Sequence, residues 1–446
     1  MRLAVLVLIG IFLVVYVPDV GHGFLADDFA WIRQSRISAP SDAVRLFSQH
    51  NGFYRPLVSV TFALDHAAWE LRPFGYALTN LALALTTAAV LMMIGRGVGL
   101  APPAALFAAA LWAFNPHGIP MALLWISGRT SLLLCLFSAL AAWAVLRRYT
   151  FVAAVFVLAA MLSKEEAVLL PLMLVPWTAF SPEHGVRWSR RALLSATALG
   201  LTWIPYFALR SRTAAYLPSS APPIYRPAFD ALAVLRNAAE YADRAATVGL
   251  ALLLLTWLCV RRRPALSPAD RGAVLLGLAW AIGGYGLTVF LPVRSSLYAC
   301  FPSMGTSLAA ATVIGALWRQ STGWPRRVLP IAAVLLPVVL LPIYRSRARR
   351  WVKPADLSAS VAADIRGIPA DQALVLHDAV GVRPNLESTF GNLMADAVAL
   401  YAPGVPVWLE PAPSGWDELG LARPGPGQVV RRFVLRDGRL RPVVAQ

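Results

Sequence analysis

Residues 81–94 read Leu-Ala-Leu-Ala-Leu-Thr-Thr-Ala-Ala-Val-Leu-Met-Met-Ile, without one ionisable side chain, and Arg96 follows. Similar runs recur at 3–17, 132–146, 151–162, 192–209, 246–260, 273–292 and 328–343. A spanning helix needs about 20 residues, at about 1.5 Å each, to cross roughly 30 Å of hydrocarbon. Runs that reach this length only with their polar ends suit tilt or local thinning. The 446 residues are 58% hydrophobic and 14% charged, whereas a soluble domain carries about 25% charged residues. A soluble enzyme is excluded, and the pattern predicts a polytopic, all-α membrane protein.

The net charge of +17 is almost entirely arginine, with Lys164 and Lys353 the two lysines. In a soluble chain such an excess points to nucleic acid. Here it orients helices and meets anionic headgroups, so no nucleic-acid partner is implied. With the N-terminus cytoplasmic, spans fall near 3–20, 74–95, 101–115, 121–146, 149–162, 165–180, 192–209, 246–260, 272–292, 296–317 and 328–344, about eleven in all. The loops this places inside contain Arg96; Arg147 and Arg148; Arg187, Arg190 and Arg191; Arg261, Arg262, Arg263 and Arg271; and Arg319, Arg326 and Arg327. That agrees with the positive-inside rule. The first run reads as an uncleaved anchor, because Val20-Gly21-His22-Gly23 makes a poor cleavage site. Cys135, Cys259 and Cys300 all lie in apolar runs, with neither a disulfide framework nor metal spacing.

Two outer regions are long. Residues 21–73 hold Asp27, Asp28 and the amphipathic stretches Val44–Phe47 and Val58–Trp69, expected as interfacial helices. Residues 345–446 read as a small extracytoplasmic α/β domain after a membrane domain of 1–344. Its predicted elements are a helix near 355–366, a strand near 373–377, a helix near 389–401, a strand near 405–409 and a hairpin turning at Arg436-Asp437-Gly438.

In such a chain the informative residues are ionisable ones that a helix end does not require. They form five clusters: Asp27-Asp28; Tyr54-Arg55-Pro56-Leu57; Asn115-Pro116-His117 with Trp125-Ile126-Ser127-Gly128-Arg129-Thr130; Lys164-Glu165-Glu166; and Arg294 before Leu297-Tyr298. The helix count puts all five on the non-cytoplasmic side. Each also has a plain reading. The Asp pair suits a helix N-terminus, and Arg129 and Lys164 suit snorkelling at helix ends. His117 suits a polar loop, Glu165 suits a simple pair with a cation, and Asp65, His66 and Glu70 suit the polar face of an interfacial stretch. Against the plain readings, Arg129, Lys164 and Arg294 lie on the outer side, against the positive-inside trend, so each needs a local reason.

Together the residues suit a reaction between a membrane-bound phosphate and a polar acceptor. Arg294, Arg129 and Lys164 would hold the phosphate and stabilise it as a leaving group. One carboxylate of Asp27 and Asp28 would take the acceptor's proton. Glu165, Tyr54, Arg55, His117 and Tyr298 would support them. A single base suffices for displacement with inversion, whereas retention also needs a carboxylate nucleophile. Two adjacent carboxylates make a thin site for a divalent metal, and no cofactor is required.

These clusters, in this order, resemble the polytopic GT-C glycosyltransferases, especially the protein O-mannosyltransferase-like group with transmembrane helices followed by TPR repeats, and their bacterial relatives. The matching pieces are Asp27-Asp28, Tyr54-Arg55-Pro56-Leu57, Gly75-Tyr76 with Thr79-Asn80, Trp125 to Arg129, Lys164-Glu165, and Arg294 through Leu297-Tyr298, Pro302-Ser303 and Gly305. The resemblance covers residues 20–310 and implies a GT-C-like fold in a bacterial plasma membrane. It also implies transfer of a sugar from a polyprenyl-phosphate donor to an extracytoplasmic protein, lipid or glycan, with Asp27 as acid/base. The chain departs from the group at Ala77, Ala84, Asn115 and Val293, and has no TPR repeats. These departures leave sugar and acceptor open. The competing expectation is a transporter or lipid flippase, which would show repeat symmetry and ionisable residues at mid-membrane.

Overall fold

A computed structural model describes residues 2–48, 52–217, 219–322, 324–379, 381–410 and 421–443. The chain runs through α1 (Arg2–Tyr16), α2 (Asp27–Gln34), α3 (Pro40–Arg45), α4 (Pro56–Trp69), α5 (Pro73–Gly97), α6 (Pro102–Ala113), α7 (Gly118–Leu124), α8 (Arg129–Leu146) and α9 (Thr150–Met161). It continues with α10 (Leu170–Thr178), a small hairpin of β1 (Phe180–Ser181) and β2 (Gly185–Val186), then α11 (Arg190–Gly200), α12 (Trp203–Arg210), α13 (Ala231–Val260), α14 (Pro268–Tyr285), α15 (Pro302–Gln320) and α16 (Trp324–Ile365). The last part holds β3 (Gln372–His377), α17 (Leu386–Phe390), α18 (Met394–Tyr401), β4 (Val407–Glu410), β5 (Val429–Arg436) and β6 (Arg439–Pro442).

Among the described residues, 5 helical segments are long and apolar enough to cross a membrane: Arg2–Asp19, Pro73–Gly97, Ile126–Leu146, Arg190–Arg210 and Ala231–Val260. The protein is a multi-pass integral membrane protein. Several sequence-derived spans need redrawing. The 121–146 span is broken at Trp125, between α7 and a 3₁₀ turn at Ile126–Gly128. The 165–180 span contains only the short α10 behind a 3₁₀ turn at Glu165–Leu169; Pro171 stands in the first turn of α10, and Pro176 removes one hydrogen bond inside it. The span placed at 246–260 begins at Ala231, capped by the Asp230 side chain, which accepts from Ala233 N. The 328–344 span and the helix near 355–366 are one continuous helix, α16.

The two ends of the bundle differ chemically. At one end, Arg148 donates to the carbonyls of Thr178 and Phe180, and Arg319 lies 2.7 Å from Asp270. Gly97 faces Leu146, and Gly99 faces Pro182 and Ala269. The arginine-rich loops therefore gather there. Asp65, Tyr76 and Arg129 mark the other end, since α5 carries Tyr76 and Arg96 20 residues apart, about 30 Å along the helix axis. Between the ends, α14 and α15 cross closely. A Cβ on Gly305 would fall 2.2 Å from the Gly277 carbonyl oxygen. Larger residues would push these backbones apart.

The C-terminal sheet has the order β4-β3-β5-β6. Its β3 is parallel to both β4 and β5, while β5 and β6 form the expected antiparallel hairpin. The helix predicted at 389–401 is split into α17 and α18 by a 3₁₀ turn at Gly391–Leu393. The apolar face of this unit shares one core with the segment after α1: Phe24, Phe29, Trp31 and Ile32 join Leu374, Leu376, Phe390, Met394 and Val398.

Candidate active site at the acidic helix

Asp27 and Asp28 open α2. Asp28 is buried. Its Oδ2 accepts from Leu25 N at 2.9 Å, and its Oδ1 accepts from Ser127 N at 2.7 Å and from the Ser127 hydroxyl. The donors come from the segment before α2 and from the turn before α8, so this carboxylate ties the two together. Burial pushes its pKa up to about 7, against the lowering by the Ser127 and Leu25 hydrogen bonds.

Asp27 is exposed. It holds no hydrogen bond or ion pair with any described residue. The protein mass around it raises its pKa, and the nearby Arg55 guanidinium opposes that rise. A carboxylate with a raised pKa and no hydrogen bond or ion pair is equipped to accept a proton.

Around Asp27 the sequence clusters meet. Arg55 forms a fork on Glu165, with Nε 3.0 Å and Nη2 2.7 Å from Oε2, and the Leu57 amide donates to the Leu162 carbonyl. The Tyr54–Leu57 and Lys164–Glu166 motifs are thereby one structure. Charge on Glu165 raises the Arg55 pKa, although burial lowers it. Lys164 is buried; its Nζ donates to Ser131 Oγ at 2.7 Å and lies 3.0 Å from Glu166, with the Tyr298 ring 5.1 Å away. Tyr54 is fully enclosed beneath the cluster.

Arg294 stands apart from Lys164, exposed, with Nη1 2.6 Å from Glu240 of α13. Arg244, one turn further along α13, pairs with the same carboxylate. Arg347 of α16 donates to the Pro116 carbonyl and approaches His117 Nε2 at 3.3 Å. Burial, with the Arg347 charge behind it, pushes the His117 pKa down to about 4. His117 is thus a neutral neighbour of the arginine group.

Two assignments change. Arg129, placed by sequence among the phosphate ligands, has 0% exposure. Its Nη2 lies 2.5 Å from Asp65 and 2.9 Å from the Tyr76 carbonyl, and Nε is 2.9 Å from Asn80 Oδ1. Phe62 covers its guanidinium at 4.6 Å. It is an internal lock, unreachable by a phosphate. Asp65, read as part of an interfacial polar face, is its buried partner and also accepts from Thr79 Oγ1. Lys164 is likewise spent on Ser131 and Glu166, which moves it from ligand to support.

Two participants were missed. Glu240 lay in a stretch read as loop, though its i,i+4 spacing to Arg244 was a helix signal. Tyr225 sits on a 3₁₀ turn, Pro223–Tyr225, in a loop that folds over the cluster. Phe53 packs edge-on against both Tyr225 and Tyr216. Tyr225 lies within electrostatic reach of Asp27, Arg55 and Glu165. The Val293 amide donates to the Ile224 carbonyl, so the same turn also borders Arg294. An aromatic among Pro222, Pro223 and Pro227 was the available signal.

A solved structure similar to this chain is that of ArnT from Cupriavidus metallidurans bound to undecaprenyl phosphate, at 13% identity and a TM-score of 0.48, with 91% of this chain and 85% of that chain covered. No family model matches the chain, and no curated protein does.

Proposed function

We propose that the protein is an integral-membrane glycosyltransferase that moves a sugar from a polyprenyl-phosphate donor to an extracytoplasmic hydroxyl, by single displacement with inversion. The observation that carries this reading is that the Tyr225 turn borders both Asp27, a carboxylate without a hydrogen bond or ion pair among the described residues, and the exposed Arg294. Asp27 takes the proton of the acceptor hydroxyl, whose oxygen attacks the anomeric carbon. The bond from that carbon to the phosphate oxygen breaks, and the polyprenyl phosphate leaves with its negative charge. Arg294 holds this phosphate, with Arg244 beside it; the two share one carboxylate, Glu240, so cationic charge remains for the leaving group. The Arg55–Glu165 and Lys164–Glu166 pairs brace the cluster, and Tyr298 and Tyr225 wall it. The bacterial plasma membrane is its place, with this face and the C-terminal unit outside, because the arginine-rich loops lie at the opposite end.

The test uses the full chain in nanodiscs with a panel of polyprenyl-phosphate sugars. The expected result is release of polyprenyl phosphate with sugar transfer or hydrolysis, and a raised donor KM in Arg294→Ala that Arg294→Lys restores in part. Lipid or solute movement in vesicles without any sugar release would replace this reading with the transporter one.

A further inference from the structure

Ala26, the residue before Asp27, has φ 42° and ψ −116°, a conformation an alanine adopts only under constraint. The constraint comes from two sides. The Ala26 amide donates to the Thr389 carbonyl of α17 at 3.2 Å, while Asp28 holds Leu25 and Ser127 from below. Two further contacts run from α2 to the same C-terminal unit. Phe29 stacks on Phe390, with ring centroids 5.3 Å apart and planes 25° from parallel. One turn on, Arg33 Nε lies 2.5 Å from Asp396 Oδ1 of α18. The three contacts hold the start, the first turn and the last turn of a helix only 8 residues long.

We propose that the C-terminal α/β unit sets the rotation of α2 and so decides which carboxylate faces the acceptor, with Thr389, Phe390 and Asp396 as positioning residues. The proposal rests on the reading of Asp27 as the base. Consecutive residues on a helix point about 100° apart. A modest rotation of α2 would turn Asp27 away from the Tyr225 side. Within the helical bundle Asp28 holds the start of α2 to the Ser127 turn and Trp31 stacks on Phe62 of α4, with ring centroids 5.9 Å apart. The C-terminal unit adds the contacts at Ala26, Phe29 and Arg33 on the side away from the bundle's own anchors, which gives Thr389, Phe390 and Asp396 a role in the chemistry through α2.

The test uses the full-length protein in nanodiscs with two variants, Phe390→Leu, which keeps an apolar side chain but loses the ring stack, and Asp396→Asn, the milder one. Each is measured for kcat, donor KM and amide exchange in residues 24–34. Expected is faster exchange in that segment, a kcat lower by about tenfold and an unchanged donor KM, since Arg294 and Arg244 stand on other elements. Glycine accepts positive φ without steric cost, so Ala26→Gly added to Phe390→Leu should recover part of the lost kcat. Parent kcat in both variants despite faster exchange would overturn the proposal, as would equal changes in kcat and donor KM. Failure of the base reading is separate, because it would appear as full turnover in Asp27→Asn.

Discussion

Asp28 and Arg129 can be set beside Asp27 and Arg294: two ions of each sign, all at one end of the bundle, in opposite conditions. Asp28 receives three donors and Arg129 has a carboxylate, a carbonyl and an amide around it, both out of reach of solvent. Asp27 has no hydrogen bond or ion pair among the described residues, and Arg294 shares its one carboxylate with Arg244. A buried charge is costly unless it is paired and hydrogen-bonded inside. Ions enclosed with internal partners are structural, Arg129 included although its Nη1 has no hydrogen bond among the described residues, while ions left open at the same face are free to take a ligand. The contrast separates residues that sequence alone groups together.

The largest expected effect lies on the closed side. Arg129→Ala leaves Asp65 charged and buried, which typically costs about 3–5 kcal/mol. The variant should melt well below the parent in detergent, or fail to accumulate. Parent-like melting would show that Arg129 is not the lock described.

Asp28 provides a pH test of the same side. Its folded pKa of about 7 lies above the ordinary aspartate value of 3.8. The native state therefore keeps a proton that the unfolded chain has released. The stabilisation is complete below the unfolded value and is lost as pH rises through the folded one. Melting temperature should fall from mildly acid to neutral pH, and Asp28→Asn should flatten that slope. An identical slope in the two proteins would contradict the assignment.

The open side should respond in binding rather than stability. Arg294→Ala should raise donor KM by about one to two orders of magnitude, the worth of a charge-assisted hydrogen bond, with melting unchanged. The smallest effect belongs to Glu240→Gln, which frees both arginines from their shared carboxylate but also loosens them. A change in donor KM of about threefold or less is expected. A larger loss than that of Arg294→Ala would make Glu240 part of the chemistry.

Much of the fold was legible because it depends on local signals. The 81–94 run, the arginines at its end and the Arg436-Asp437-Gly438 turn each report their own element, and α5 and the β5–β6 hairpin follow. The joining of α16 was not legible, because Arg345, Arg347, Arg349 and Arg350 mark a membrane exit but are also good helix formers. The pairing of Arg129 with Asp65 joins residues 64 apart in sequence. Only a lone acid inside the apolar stretch of α4 hinted at it. The site residues were recognisable by type, whereas their division into locks and ligands depends on burial, which one sequence does not encode locally.

The most direct measurement compares Asp27→Asn with Asp28→Asn, each as folded protein in nanodiscs with the same polyprenyl-phosphate sugar. The expected result is that Asp27→Asn melts like the parent, still binds donor and loses about 10²–10⁴-fold in turnover. Asp28→Asn should melt lower and keep its turnover per folded molecule within about tenfold. Parent turnover in Asp27→Asn, or the large loss appearing only in Asp28→Asn, would contradict the division between open and closed ions.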